Sequence, residues 1–143
     1  SINGGYMSLE RFLAAQEHDY EIALSEIRNG RKQSHWMWYI FPQIQGLGYS
    51  SMAQFYAIKD GGETVAYLND PVLGKRLVEI TEALLNLREN DARKVMGYPD
   101  DLKLKSSMTL FYVVSGRAVF KQVLDKYYFG ELDEKTVSLL GAE

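Results

Sequence analysis

Three short strings in this chain combine residue types that can do chemistry. Ser34-His35-Trp36-Met37-Trp38 places a hydroxyl, an imidazole and two indoles within five residues. His35 is one of two histidines, and an ordinary histidine exchanges its proton near neutral pH. Trp36 and Trp38 can wall a site and stack a planar ligand. They can equally pack in the core, provided each indole N–H finds a partner. The second string, Gln43-Ile44-Gln45-Gly46-Leu47-Gly48-Tyr49-Ser50-Ser51, is a glycine-containing loop that opens onto a helix start. Backbone N–H groups there, with Gln43 and Ser50, can hold an anion. Its spacing matches neither a Walker loop nor a dinucleotide fingerprint, and a tight turn capped by Ser50 or Ser51 is the plainer reading. The third string, Asp100-Asp101-Leu102-Lys103-Leu104-Lys105-Ser106-Ser107-Met108-Thr109, gathers polar groups at the head of an apolar segment. On a helix Asp101 and Lys105 share a face, with Lys103, Ser106 and Ser107 on adjoining faces. Lysine and hydroxyl groups so placed suit a phosphate or carboxylate, with an aspartate as base. The competing reading has an aspartate capping, Asp101 paired with Lys105, and the serines allowing close helix packing.

Taken together, the strings suggest an enzyme acting on a small molecule, a hydrolase of a nucleotide-like or glycosidic ligand. His35 and Asp101 are the catalytic candidates. Ser34, Trp36, Trp38, Gln43, Ser50, Lys103, Lys105, Ser106 and Ser107 are the ligand-binding candidates. The constellation requires the stretches in the thirties and the low hundreds to line one hollow. The alternative is a non-catalytic module whose aromatic patch meets a partner protein or a second copy, as in a homodimer.

Other chemistries lack their residues. Cysteine is absent, which removes thiol catalysis, disulfides and cysteine-based zinc sites. No His-x-x-x-His pair, Gly-x-Ser-x-Gly elbow or cofactor fingerprint occurs, so neither a metal nor a cofactor is expected. His18 reads as solvated. The run Arg28 to Lys32 reads as a short solvated charge patch, and Tyr127-Tyr128-Phe129 as core. Lys plus Arg number 16 against 19 Asp plus Glu, a formal net charge of -3, which disfavours a broad nucleic-acid or anionic-membrane surface. No apolar run approaches the roughly 20 residues that span a bilayer. A cytoplasmic location is the default expectation.

The elements that must position these residues are helices. The 143 residues suit one domain, and such a chain can bury roughly 70% of its unfolded surface. Residues 1–7 read as a flexible leader left by expression, with Met7 a native start. Residues 8–143 read as a single helical domain. Leu9, Phe12, Leu13, Tyr20, Ala23, Leu24 and Ile27 recur at helical spacing from Leu9 to Arg28, with Ser8 as cap and Gly30 as stop. Ser34 to Pro42 has the aromatic content of a strand but no partner strand, so a short helix capped by Ser34 and ended by Pro42 is favoured. Short helices follow from Ser51 to Ile58 and from Gly62 to Leu68. Asp70-Pro71 starts a helix that Leu73, Leu77, Ile80, Leu84 and Leu87 carry to near Asn90. A turn or two over Asp91 to Met96 is closed by Gly97. Leu102 to Val114, Arg117 to Phe129 and a short helix capped by Asp133 complete an all-α, compact multihelical domain of seven or eight helices.

Four strings in order resemble the bacterial domain of unknown function 1810 family. They are Ser34-His35-Trp36-Met37-Trp38-Tyr39-Ile40-Phe41-Pro42-Gln43; Gly46-Leu47-Gly48-Tyr49-Ser50; Tyr67-Leu68 with Pro71-Val72-Leu73-Gly74; and Asp100 to Phe111. The resemblance runs from about Ser8 to Leu140. It implies an all-helical fold and no established activity. In the family pattern a histidine precedes the proline of the third string, where this chain has Asp70. If that histidine is catalytic in relatives, this chain lacks the activity or runs it with a carboxylate; capping explains Asp70 equally well. The layout is also distantly similar to helical N-glycosidases acting on ribosylated nucleotides and ADP-ribose, through a Ser-aromatic helix start and a Lys-bearing buried helix.

Overall fold

In the computed structural model, which describes residues 9–142, the backbone forms nine helices and no strand among those residues. They are α1 (Glu10–Arg28), α2 (Met37–Ile40), α3 (Ser51–Tyr56), α4 (Gly61–Asn69), α5 (Leu73–Leu85), α6 (Ala92–Met96), α7 (Asp100–Ser115), α8 (Ala118–Tyr128) and α9 (Glu134–Gly141). The leader and the Ser8 cap lie outside the described residues. The first long helix follows its apolar spacing, burying Phe12, Tyr20, Ala23, Leu24 and Ile27 on one side. α5 lies against α1, α4 and α8, while α7 lies against α4, α6, α8 and α9. This central position of α7 explains why Leu104, Ser106, Ser107, Met108, Thr109, Leu110 and Phe111 are all buried. A line of rings crosses the core: Phe12 meets Tyr67 at 5.1 Å, Tyr67 meets Phe111 at 5.4 Å, and Phe111 meets Phe120 at 5.6 Å. Each fully buried ring stabilises the fold by about 2–3 kcal/mol relative to exposure.

Where observed boundaries differ from those expected, a side chain from elsewhere is responsible. α3 stops at Tyr56 rather than Ile58 because Arg11 takes the carbonyls of Phe55 and Ala57, each at 2.7 Å. Ile58 then pairs in extended form with the 43–45 segment. α5 stops at Leu85 rather than near Asn90, and Lys126 Nζ donates to the Leu87 carbonyl at 2.6 Å and to Asn90 Oδ1 at 2.8 Å. Ser34 does not cap α2. Its hydroxyl donates to Glu26, and the helix is a single turn starting at Met37. Asp70 does hold the start of its helix, accepting from Val72 N at 3.0 Å and Leu73 N at 2.9 Å. Phe129 is not core. It takes a left-handed conformation after α8 and is 95% exposed, whereas Tyr127 is buried. Lys32 is not part of a solvated patch, since its side chain is only 8% exposed.

Candidate functional site

The loop between α1 and α2 is fixed by one carboxylate. Glu26 accepts from Gln33 N at 2.8 Å, Ser34 N at 2.9 Å, the Ser34 hydroxyl, and Trp36 Nε1 at 2.9 Å. Burial opposes ionisation of Glu26, but these donors together hold its carboxyl at about 2, well below the usual range. Trp36 is thereby locked, 1% exposed, with its indole N–H satisfied. Ser34 and Trp36 are thus positioning residues for the loop.

This loop meets the start of α7 through lysines. Lys32 Nζ contacts Asp100 Oδ2 at 2.9 Å and donates to the Ser34 carbonyl at 2.5 Å, lying 4.8 Å from the Trp36 ring centre. Lys103 Nζ contacts Asp100 Oδ1 at 3.2 Å and lies 4.1 Å from the Trp38 ring centre. Two lysines share the one Asp100 carboxylate, and the Glu26 carboxylate, bonded to Trp36 Nε1, offsets the second positive charge. The lysine over each indole face is an attractive arrangement, worth about 0.5–2 kcal/mol. The stretches in the thirties and the low hundreds do adjoin. Lys32, Glu26 and Asp100 make the junction, and none was a candidate from spacing. The closeness of Asp100 to Lys103 on one helix, three residues apart, was the only legible signal.

Trp38 also walls a small hollow with Gln43, Gly46, Gly48, Ala53 and Tyr56. Its enclosed space is about 10 Å³, room for one water-sized group. Gln43 is 8% exposed, and its amide Nε2 is buried with no hydrogen-bond partner among the described residues. The Gln43 backbone is pinned by the Ile58 N–H at 2.8 Å. Gly48 is needed for closeness, since a Cβ there would lie 2.7 Å from that of Ala53. Ser50 caps α3, its hydroxyl accepting from Ala53 N at 3.1 Å.

The remaining candidates sit apart from this hollow. His35 is exposed, and its ring makes no hydrogen bond among the described residues; its carbonyl accepts from Tyr39 OH at 3.2 Å. Asp101 Oδ1 is buried without a partner among the described residues, while its carbonyl accepts from Tyr128 OH at 2.6 Å. Neither residue lines the Trp38 hollow. Lys105 contacts Glu131 at 3.5 Å. Ser106 serves the entry to α9, its hydroxyl donating to Asp133 Oδ2 at 3.1 Å. Ser107 is fully buried with its hydroxyl unpartnered among the described residues, one turn beyond Lys103.

A larger, open hollow of about 500 Å³ lies at the α4–α5 corner, with Asp70, Gly74, Lys75, Glu79 and Arg117 among its walls. None of the candidates lines it. No group of three or more His, Cys, Asp or Glu side chains placed to hold a metal ion occurs among the described residues. No helix among them is long and apolar enough to cross a membrane.

Comparison with known proteins gives the chain a family and no activity. No curated protein matches it. The crystal structure of the conserved hypothetical protein Rv1873 from Mycobacterium tuberculosis is similar, with a TM-score of 0.91 and 44% identity over 93% of this chain and 96% of that one. The model of the family described as protein of unknown function (DUF1810) matches residues 6–140. With the all-helical fold and the match along nearly its whole length, the chain belongs to the DUF1810 family.

Proposed function

We propose that the chain binds a small anionic, ring-bearing molecule of the nucleotide-like or glycosidic class at the seam between the 32–43 segment and α7. The observation that carries the reading is Lys103, held by Asp100 and lying against the half-buried Trp38 ring. A lysine is a point charge for a phosphate or carboxylate, and an indole is a stacking surface for a planar group. Lys32 is spent on Asp100 and the Ser34 carbonyl, so its role is to position Asp100. Hydrolysis of the bound molecule would draw on His35, exposed and without hydrogen bonds of its ring among the described residues, as acid or base.

Thermal-shift measurements with nucleotides, ADP-ribose derivatives and sugar phosphates test the binding. A ligand at a hundred times its dissociation constant stabilises by about 2.7 kcal/mol, which raises the melting temperature by several degrees. Lys103→Ala and Trp38→Ala should each abolish that shift while leaving the unliganded protein folded. A panel with no stabilising member overturns the reading. His35→Ala should leave the shift intact and stop turnover; a ligand that binds and is never turned over removes the hydrolase and keeps the binding protein.

A second reading rests on the exposed Tyr49, Met52 and Phe55 around α3, which are 80%, 45% and 59% exposed. Such a patch suits self-association. Light scattering that shows a dimer in the wild type and a monomer in Phe55→Ser would favour it; a monomer throughout removes it.

A further inference from the structure

The stretch from Trp36 to Ile58 holds no Asp, Glu, Lys, Arg or His, the longest such run in a chain with 24% charged residues. Residues 36–44 are buried except for the half-buried Trp38, and burial explains the missing charge there. The rest of the run is different. From Gln45 to Phe55 eight positions are exposed and none is charged. The exposed side of α1 shows the ordinary pattern, with Glu10, Glu17, Glu21 and Arg28. Contact with water gives a surface no reason to lose its charges. Contact with a protein does, since interfaces lose charge at their centre and gain Tyr, Phe and Met.

The neutral positions share a face. Ser51, Met52 and Phe55 lie three or four residues apart on α3. Gln54 Nε2 donates to the Tyr49 carbonyl at 2.7 Å, which ties Tyr49 to the same helix. Arg11, which reaches α3, is engaged by the Phe55 and Ala57 carbonyls and by Glu63.

Resting on the reading of this patch as a self-association surface, we propose that its occupant is the same face of a second copy, packed about a two-fold axis through α3. A two-fold contact sets each group near the axis against its own copy. Charged groups repel one another there. Serine hydroxyls and glutamine amides both donate and accept, so they pair with themselves. A face built from such groups with Met and aromatic rings is self-complementary, while a charged peptide, a nucleic acid or an anionic membrane finds no counter-charge on it. Tyr49, Met52 and Phe55, at 80%, 45% and 59% exposure, offer roughly 400 Å². A standard interface buries about 800 Å² per partner, so these side chains and their polar neighbours make a contact at the low end of size, one that dissociates on dilution.

Sedimentation velocity on the whole chain should show a concentration-dependent equilibrium of monomer and dimer. Met52→Lys and Met52→Glu, each checked for folding by circular dichroism, should each weaken the dimer at least tenfold, and an equal mixture of the two should restore it. If either variant fails to fold, Ser51→Lys and Ser51→Glu make the same comparison at an exposed position. The chain has no cysteine, so a single introduced one reports cleanly. Under mild oxidation Ser51→Cys should cross-link at least tenfold faster than Glu82→Cys, an exposed site on α5. A monomer throughout overturns the inference together with the self-association reading. A wild-type dimer that withstands each charge alone, that the mixture fails to restore, or that cross-links no faster through Ser51 overturns the two-fold pairing of α3 and leaves self-association in another arrangement.

Discussion

Glu26 shows how one side chain can organise a site that it never enters. A run of donors from Gln33, Ser34 and Trp36 converges on its two oxygens. In the sequence it is one of several glutamates between apolar positions of α1, with nothing to mark it. Its folded value of about 2 lies below the unfolded value of 4.5. The stability it contributes is therefore present above pH 4.5 and is lost as the pH falls through about 2. Asp19 adds to the same acid limb, lowered by the Tyr39 hydroxyl and by His18. Acid denaturation followed by circular dichroism should show Glu26→Gln with a flatter loss of stability between pH 4.5 and 2 than the wild type. An unchanged profile would mean the carboxylate is not the titrating group. At neutral pH Glu26→Ala should cost roughly 3 kcal/mol, since it strands the Trp36 indole N–H and two backbone amides. Urea midpoints check that figure.

α4 and α5 approach closely at Gly74. A Cβ on Gly74 would lie 2.1 Å from the Leu68 carbonyl oxygen and 2.9 Å from its carbon. Those atoms are backbone, so only movement of a helix can relieve the clash. Gly74→Ala should destabilise by about 3 kcal/mol, measured as a lowered urea midpoint; a neutral effect would show that the corner is loose. α9 depends on polar anchoring instead. Asp133 accepts from Thr136 N at 3.1 Å, the Thr136 hydroxyl at 2.5 Å and Ser106 at 3.1 Å, while its own N–H donates to Thr109 at 2.9 Å. Asp133→Ala should cost about 1–2 kcal/mol. Hydrogen exchange should rise in α9 and stay unchanged in α5. Uniform loss of protection across both helices would mean that α9 unfolds only with the whole. Ser106 was a ligand candidate on its residue type. The structure spends its hydroxyl on this anchor, a use that no spacing within α7 could reveal.

At the scale of the molecule, both tryptophans report on one junction of α1, α2 and α7. Trp36 is tied to Glu26 and Lys32, and Trp38 to Lys103. Because that junction is continuous with the main core, tryptophan fluorescence and far-ultraviolet dichroism should give coincident urea transitions. An earlier fluorescence transition would show the seam opening before the bundle does. The helices themselves were legible from residue order: the apolar stripe of α1, the Asp70-Pro71 entry to α5, the Asp133 cap and the glycine stops each act within about a turn of chain. Local hydrogen bonding and 3.6-residue periodicity operate over that same range, which is why they can be read from a string. The lysine pair on Asp100, the four donors on Glu26, the burial of the Gln43 amide nitrogen away from any partner among the described residues, and the outward turn of Phe129 were decided only when the helices packed. Each depends on which distant segment arrives beside it, and the free energy of that arrival is shared across the core rather than written in neighbouring residues.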